Sequence, residues 1–222
     1  MCAGGCGAGE VWRRLVGGSA AQSRRVPRAP RRARALTAIV TSQAERQIDG
    51  HIVLVGLPGA GKSTVGRSVA KSLGRPFLDF DVEIERRTGM PVARIFAEQG
   101  EPAFRQMEMA LTRELAAAPP MILAPGGGWI TNPGVIELMR PPGCLIHLLV
   151  SPAEAVRRLS RSRTTRPLLM EADPAVKMNA LWEARAGLYN MSDIVLDVEL
   201  VDPQRITDSI VALAHGRMPE IG

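Results

Sequence analysis

Apolar residues along the chain form short runs, and between these runs they recur at the spacing of a helix. The runs lie at residues 52–55, 76–81, 121–124, 144–150 and 194–196. Run 144–150 is almost continuously apolar, which is typical of a strand buried on both faces. Helical spacing is found at 65–73, 81–89, 92–97, 101–117, from 152, at 174–191 and from 203. Strands that alternate with helices predict an α/β domain with a largely parallel sheet.

A glycine-rich loop joins the first predicted strand to the first predicted helix. Residues 56–64 read Gly-Leu-Pro-Gly-Ala-Gly-Lys-Ser-Thr and fit the pattern G-x-x-x-x-G-K-[ST]. In this pattern, backbone N–H groups surround phosphate oxygens and the helix dipole adds positive potential. Lys62 would reach the β- and γ-phosphates of ATP, and Ser63 would ligate Mg²⁺. The residues expected to bind ATP here are Gly59, Ala60, Gly61, Lys62, Ser63 and Thr64. The alternative is a glycine-rich turn without a ligand.

Two carboxylates follow the second predicted strand. Asp79 and Asp81 end the run at 76–81, and ligands of open α/β sheets gather at the carboxyl ends of strands. Along an extended backbone, alternation would place both carboxylates on one side. One would then hold Mg²⁺ while the other orients or deprotonates an acceptor hydroxyl. The alternative is a helix N-cap followed by an acid in the first turn.

Other features are ambiguous when each is considered alone. Arg105 lies one turn from Glu101, so spacing favours a surface ion pair. The triplet at 126–128 follows a strand and predicts either backbone pressed against a ligand or a flexible turn. His147 lies within an apolar run and is interpreted as a core histidine. The arginine-rich segment at 157–166 is interpreted as a lid over ATP, at about 160–173, rather than a solvated face or a nucleic-acid patch.

The positive charge is concentrated near the N-terminus. The formal net charge is +6, yet residues 1–48 hold nine of the 28 basic and two of the 22 acidic residues. The remaining 174 residues are close to neutral, so we expect no nucleic-acid partner. The three cysteines match neither a disulfide framework nor a zinc pattern, and no apolar stretch is long enough to span a bilayer. We expect a protein of the cytoplasm with no membrane partner.

Residues 1–48 are rich in Gly, Ala and Arg and poor in apolar surface, so we expect this segment to be disordered. Its arginines and scarce acids resemble an organelle transit peptide, which would place the mature protein in a plastid or another organelle. The other interpretation is an N-terminal extension that carries no targeting signal. Residues 49–222 would then form the folded domain.

The motifs occur in an order that resembles the shikimate kinase family, within the nucleoside-monophosphate-kinase-like P-loop fold. The resemblance covers about residues 51–215. Its motifs are the loop at 56–64, Phe77-Leu78-Asp79-Phe80-Asp81 with Ile84-Glu85, Ile95-Phe96 through Gly100-Glu101 to Phe104-Arg105, Gly126-Gly127-Gly128, Arg166-Pro167-Leu168-Leu169, and Arg185 ahead of Leu188-Tyr189. The P-loop is shared by many NTPases, whereas the ordered set is specific.

The resemblance implies a three-layer P-loop kinase with a five-stranded parallel sheet flanked by helices and a mobile arginine-rich lid. It also implies transfer of the γ-phosphoryl group of ATP to the 3-hydroxyl of shikimate, in aromatic amino acid biosynthesis, by a monomer. The catalytic residues would be Lys62, Asp81 and Arg166, and Asp79 would join Ser63 at Mg²⁺. Asp81, Arg105, Gly127, Gly128 and Arg185 would bind shikimate, with both arginines on its carboxylate. Arg158 would lie near the adenine, and Arg166 would act from the lid.

Two departures from the family pattern change the expectations. Trp129-Ile130 follow the triplet where small residues are expected, so we expect the wall of the crevice to differ. Residues 200–203 lack a basic residue on the adenine side, which leaves the adenine contacts open. The alternative functions are a gluconate or nucleotide kinase of the same fold, and a binding protein without turnover.

Overall fold

The sheet at the centre of the fold has six strands, as seen in a computed structural model that describes residues 38–40, 47–161 and 173–218. The strands are β1 (Ala38–Val40), β2 (Ile52–Val55), β3 (Phe77–Asp79), β4 (Ile122–Ala124), β5 (Cys144–Leu149) and β6 (Ile194–Asp197). Their order across the sheet is β1-β6-β5-β2-β4-β3. The chain divides into two units, Met1–Arg32 and Ala33–Gly222, and every described residue belongs to the second.

Five of the six strands run parallel to one another. In the register, Val55 of β2 pairs with His147 of β5, and Asp79 of β3 pairs with Ala124 of β4. The carboxyl ends of β2, β3 and β4 therefore lie side by side at one edge of the sheet. The five-stranded parallel sheet expected from the resemblance is confirmed, and its strand ends bring the phosphate loop, the two aspartates and the glycine triplet to one place.

The sixth strand comes from the segment that we expected to be disordered. β1 pairs antiparallel with β6, and Ala38 lies opposite Leu196. Disorder through residue 48 is therefore wrong for residues 38–40, because the edge of β6 offers backbone N–H and C=O groups for a further strand. Ile48 also belongs to the folded part, since it is buried and its N–H donates to the Ala214 carbonyl.

Helices flank the sheet. They are α1 (Lys62–Leu73), α2 (Phe80–Thr88), α3 (Val92–Ala116), α4 (Val135–Met139), α5 (Pro152–Ser160), α6 (Pro174–Tyr189) and α7 (Pro203–Ala214), with a 3₁₀ turn at Trp129–Thr131. Helix α1 packs against α7, and α5 packs against α6. The core lies on β2 and β5, where Ile52, Leu54 and Leu145 have no exposed surface. Burial of each such side chain contributes about 1.5–3 kcal/mol to folding.

Helix α3 joins the two helices predicted at 92–97 and 101–117 across a kink. Gly100 breaks the helical geometry with φ 80° and ψ 168°, and Pro102 lies two residues later. Proline is tolerated in the first turn of a helix, so the second half starts again at this point. The second half begins near the carboxyl end of β4, where Arg105 lies against Gly128, and runs toward the amino ends of the strands, where the Leu115 carbonyl contacts His51.

Residues 162–172 lie outside the described residues. They contain Arg166 and most of the predicted lid, so these two predictions are not tested.

Candidate active site

The phosphate loop connects the buried strand β2 to the first turn of α1. Gly59 and Gly61 have φ values of 86° and 97°, which only glycine adopts readily. A Cβ atom on Gly59 would lie 2.6 Å from the Ala155 carbonyl oxygen, so the close approach of α5 also requires glycine there. No side chain caps the start of α1 at Gly61. The turn of backbone N–H groups at this end is the expected arrangement for binding phosphate.

Lys62 lies folded against this loop. Its Nζ donates to the Gly56 carbonyl at 2.9 Å and to the Leu57 carbonyl at 3.1 Å. The ammonium group is thus held beside the loop, at the position from which a P-loop lysine reaches phosphates.

Ser63 and Asp79 form one polar pair. The Ser63 hydroxyl donates to Asp79 Oδ2 at 2.5 Å, and the backbone N–H groups of Asp81 and Val82 donate to Asp79 Oδ1 at 3.1 and 3.4 Å. Asp79 is therefore the N-cap of α2. Alternation along a strand is the wrong explanation for the two aspartates, because Asp81 belongs to the helix and not to β3.

The donor set at Ser63 and Asp79 suits Mg²⁺. Mg²⁺ usually keeps several waters and takes only one or two carboxylates besides phosphate oxygens. Within residues 38–40, 47–161 and 173–218, no group of three or more His, Cys, Asp or Glu side chains could hold a metal. A hydroxyl paired with one carboxylate beside the phosphate loop nevertheless fits this sparse kind of site.

Asp81 faces the first glycine of the triplet. A Cβ atom on Gly126 would lie 2.9 Å from Asp81 Oδ1 and 3.1 Å from Glu108 Oε1. Two carboxyl groups therefore border this glycine, one from α2 and one from α3.

Arg105 faces the last glycine of the triplet. A Cβ atom on Gly128 would lie only 2.1 Å from Arg105 Nη2, so a side chain at this position would displace the guanidinium. Arg105 also pairs with Glu101 at 2.6 Å and with Glu108 at 2.5 Å. The ion pair with Glu101 that spacing favoured is confirmed. The guanidinium nevertheless lies against the triplet, and only 18% of the side chain is exposed.

Glu108 is a site residue that the sequence did not reveal. It is fully buried, and its Oε2 accepts from Arg105 Nη1 and, at 3.1 Å, from the Asn132 amide. Burial raises the pKa of Glu108, while the positive charge of Arg105 acts in the opposite direction. Glu108 lies four residues after Phe104, on the apolar stripe of the helix. This position could have predicted from the sequence that the carboxyl group is buried.

Helix α6 reaches the middle glycine of the triplet with two side chains. Arg185 Nη1 and Tyr189 Oη both donate to the Gly127 carbonyl, each at 3.0 Å. Tyr189 was quoted only as part of a motif, although its position one turn after Arg185 places it on the same face of the helix.

Trp129 does not form the wall of the crevice that we expected. Its ring has no exposed surface and lies edge-on to Phe80, with ring centroids 6.3 Å apart. The indole Nε1 donates to the Thr112 hydroxyl at 2.8 Å. The side chain is thus directed into the core between α2 and α3, and it anchors the segment that follows the triplet.

Arg158 joins the phosphate loop to the segment after β6. Its guanidinium donates to the Val198 and Glu199 carbonyls at 2.6 and 2.8 Å, and to the Ala60 carbonyl at 3.4 Å. Glu154 pairs with it at 2.9 Å. Arg158 therefore lies on the side of the loop away from the triplet, and its described partners are carbonyls and one carboxylate.

His147 is a core residue, as expected. It has no exposed surface and stacks on Tyr189, with ring centroids 4.6 Å apart and an angle of 16° between the rings. Burial, with a smaller effect from the positive charge of Lys62, lowers the pKa of His147 to about 3. The imidazole is therefore neutral in the folded protein at ordinary pH.

Comparison with known proteins identifies the family. The family model for shikimate kinase matches residues 58–214, most of the chain. The chain belongs to the shikimate kinase family. A shikimate kinase of Mycobacterium avium is 42% identical over 161 residues, which cover 72% of this chain and 90% of that protein. One from Pseudomonas savastanoi is 40% identical over 163 residues, covering 73% and 94%.

Solved structures of the family share the fold. The shikimate kinase of Acinetobacter baumannii in complex with shikimate superposes with a TM-score of 0.69 at 36% identity, covering 74% of this chain and 92% of that one. The shikimate kinase of Bacteroides thetaiotaomicron gives a TM-score of 0.68 at 30% identity, covering 74% and 97%. The family assignment expected from the ordered motifs is confirmed. Among the described residues, no helix is both long and apolar enough to cross a membrane.

Proposed function

We propose that this chain catalyses transfer of the γ-phosphoryl group of ATP to the 3-hydroxyl of shikimate, the activity for which its family is named. One observation carries the proposal: each glycine of the triplet adjoins a different charged side chain. Asp81 lies at Gly126, Arg185 at Gly127 and Arg105 at Gly128. One carboxylate and two guanidinium groups along this short loop suit an acceptor that has both a hydroxyl and a carboxylate.

The acceptor half works through orientation. Arg105 and Arg185 would grip the shikimate carboxylate, because planar guanidinium groups match carboxylate geometry. The backbone of Gly127 and Gly128 would line the pocket, since the absence of side chains permits close approach. The 3-hydroxyl would then lie against the Asp81 carboxylate.

The donor half holds the nucleotide. The phosphates of ATP would be bound by the backbone of residues 59–64 and by Lys62, and Arg158 would lie toward the adenine. The Ser63 and Asp79 oxygens would hold Mg²⁺, which supplies neutralisation of phosphate charge when bound. Arg166 would contact the phosphates from the lid at about 160–173.

In the reaction, the 3-hydroxyl oxygen forms a bond to the γ-phosphorus as the bond from that phosphorus to the bridging oxygen of ADP breaks. Asp81 accepts the proton of the hydroxyl, and Lys62 with the loop N–H groups stabilises the developing phosphate charge. Catalysis of this kind depends chiefly on positioning and electrostatics.

The first test is a coupled assay of shikimate-dependent ADP release by the full chain with ATP and Mg²⁺. We expect turnover with shikimate, and Asp81→Asn is expected to lower kcat by about 10²–10⁴-fold, the usual contribution of a positioned acid or base. ATP binding by Asp81→Asn, measured by calorimetry, should stay near that of the unchanged protein. Turnover with gluconate or a nucleotide, but not with shikimate, would overturn the assignment.

The same proposal extends to the setting of the enzyme. We propose a monomer that works in the cytoplasm, with small-molecule substrates and neither a nucleic-acid nor a membrane partner. A near-neutral charge over residues 49–222 supports the absence of a nucleic-acid partner. Relatives from bacteria favour the cytoplasm over a plastid or another organelle. Light scattering in solution tests the oligomeric state. Location of a fluorescent fusion in the source cell distinguishes the cytoplasm from a plastid or another organelle.

A further inference from the structure

Tyr189 ends α6 and lies between the two halves of the site. Its ring has no exposed surface, and its hydroxyl donates to the Gly127 carbonyl at 3.0 Å. The same carbonyl accepts from Arg185 at 3.0 Å. A carbonyl oxygen has two lone pairs, so these two bonds use both of them.

The two donors to Gly127 differ in what substrate binding demands of them. Arg185 donates to the Gly127 carbonyl through Nη1 alone, and a bidentate bond to a carboxylate uses two N–H groups of the same guanidinium. Where Nη1 is one of these two groups, it is withdrawn from the Gly127 carbonyl. A partly buried carbonyl that loses its donor costs free energy, and this cost opposes binding. With the hydroxyl of Tyr189 in place, the carbonyl keeps a partner when Arg185 moves.

The ring of Tyr189 is well fixed for this purpose. It stacks on His147 at 4.6 Å between ring centroids, and it lies 6.2 Å from Trp182 at an angle of 24°. His147 pairs with Val55 in the sheet, directly before the phosphate loop. Burial raises the pKa of Tyr189 to about 12, so the hydroxyl retains its proton and donates throughout the physiological range.

We propose that Tyr189 is a positioning residue, whose hydroxyl holds the Gly127 carbonyl so that Arg185 is available to bind the carboxylate of the acceptor. The proposal rests on the function proposed above, because it requires Arg185 to bind the acceptor. Tyr189 itself touches neither substrate nor phosphate in this role.

The variant Tyr189→Phe tests this role, since it keeps the stacked ring and removes only the hydroxyl. Arg185 Nη1 is then the remaining described donor to Gly127, and its use for substrate would leave that carbonyl without either of its two described donors. We expect KM for shikimate to rise about tenfold, the effect of one hydrogen bond of ordinary strength. KM for ATP should change less than about twofold, because the contacts of the phosphate loop are retained.

Thr207→Val is the matched control. Thr207 is a buried residue of α7, and its hydroxyl donates to the Pro203 carbonyl at 2.9 Å. This variant also loses a hydroxyl-to-carbonyl bond, but away from the triplet, so it should leave KM for shikimate unchanged. If Tyr189→Phe raises the KM values for shikimate and ATP equally, or neither of them, its role is structural and the proposal fails.

A double-mutant cycle shows whether Tyr189 acts through Arg185. In an Arg185→Ala background, Tyr189→Phe should change KM for shikimate less than about twofold, and a full tenfold change would overturn the proposal. Failure of the function itself gives a different result. The unchanged protein would then show no shikimate-dependent turnover, or Arg185→Ala would leave KM for shikimate as it was.

Discussion

At the scale of single residues, the site depends on positions that have no side chain. The space that a side chain would take at Gly126 holds the carboxyl groups of Asp81 and Glu108, and at Gly128 it holds the guanidinium of Arg105. The backbone of Gly128 is not strained, with φ −94° and ψ −7°, so its requirement for glycine comes from the neighbour alone. Charged side chains therefore pack directly against the backbone of Gly126 and Gly128, and a Cβ atom added at either position would displace them.

Gly128→Ala is expected to weaken shikimate binding without unfolding the protein. The added Cβ atom would lie 2.1 Å from Arg105 Nη2, so the guanidinium must shift, and this shift strains its ion pair with the buried Glu108. We expect KM for shikimate to rise by about tenfold or more, because displacement of the guanidinium removes a charge-assisted hydrogen bond. Steady-state kinetics measure this change, and urea unfolding should show a loss of about 1–3 kcal/mol, because the ion pair of Arg105 with the buried Glu108 is weakened.

Gly187→Ala serves as its control. Gly187 lies in α6, and a Cβ atom there would meet no atom within 4 Å. Alanine favours the helix by about 0.8–1 kcal/mol, so this variant should gain stability and keep its KM. Equal KM values for Gly128→Ala and Gly187→Ala would contradict the contact between Arg105 and the triplet.

At the scale of secondary-structure elements, two helices deliver the groups that surround the triplet. The second half of α3 brings Arg105 and Glu108 to it, and α6 brings Arg185 and Tyr189. In each helix the two residues are three or four positions apart, which places them on one face. The direction of α3 is set at Gly100, whose φ of 80° and ψ of 168° lie in a region that is essentially restricted to glycine.

Gly100→Ala is expected to destabilise the protein through backbone strain. A Cβ atom would meet only Pro102 Cδ, at an ordinary 3.6 Å, so no clash contributes. The backbone conformation itself should cost about 1–3 kcal/mol of unfolding free energy. Chemical denaturation measures the loss, again beside Gly187→Ala. A loss below about 0.5 kcal/mol, the scatter of neutral surface changes, would show that the kink relaxes.

At the scale of the whole molecule, the parallel sheet unites donor and acceptor halves because its strand ends lie at one edge. His147 occupies the centre of this arrangement, under the start of the phosphate loop and against Tyr189. Its buried imidazole must be neutral in the folded state, since the pKa is lowered from 6.5 to about 3. The unfolded chain binds this proton more readily, and stability therefore depends on pH.

We expect acid to destabilise the protein partly through His147. Its contribution to stability is complete above about pH 6.5 and is lost progressively as the pH falls toward 3, because protonation then favours the unfolded chain. Over this window the loss is on the order of 4 kcal/mol, from about 1.4 kcal/mol for each pH unit. His147→Phe keeps a stacking ring, and its free energy of unfolding should fall less steeply with acid. The same slope for both proteins in urea titrations at several pH values would contradict the role of His147.

Local patterns were sufficient for much of the fold and for the phosphate loop. The alternation of apolar runs and helical stretches predicted a largely parallel sheet, the resemblance to the family implied its five strands, and residues 56–64 carried their own motif. Proximity of Asp79 and Asp81 was also predicted, although the reason was wrong, because the cap of α2 and not strand alternation places them. Strand β1 was not predicted, although Ala38, Ile39 and Val40 are apolar, since so short a stretch forms a strand only when it pairs with an edge such as that of β6.

What the sequence determined by itself is the chemistry of short stretches: the phosphate loop, the order of strands and helices, and the residues shared with the family. These depend on neighbours along the chain, where spacing decides which side chains share a face. Only the tertiary structure decided that Trp129 turns into the core and that the buried Glu108 pairs with Arg105. It also decided that Tyr189 and Arg185 donate to the same Gly127 carbonyl. Each of these contacts depends on the angle at which a helix meets the sheet or its neighbour, or on which face of a helix is buried. Packing of the whole core sets both of these.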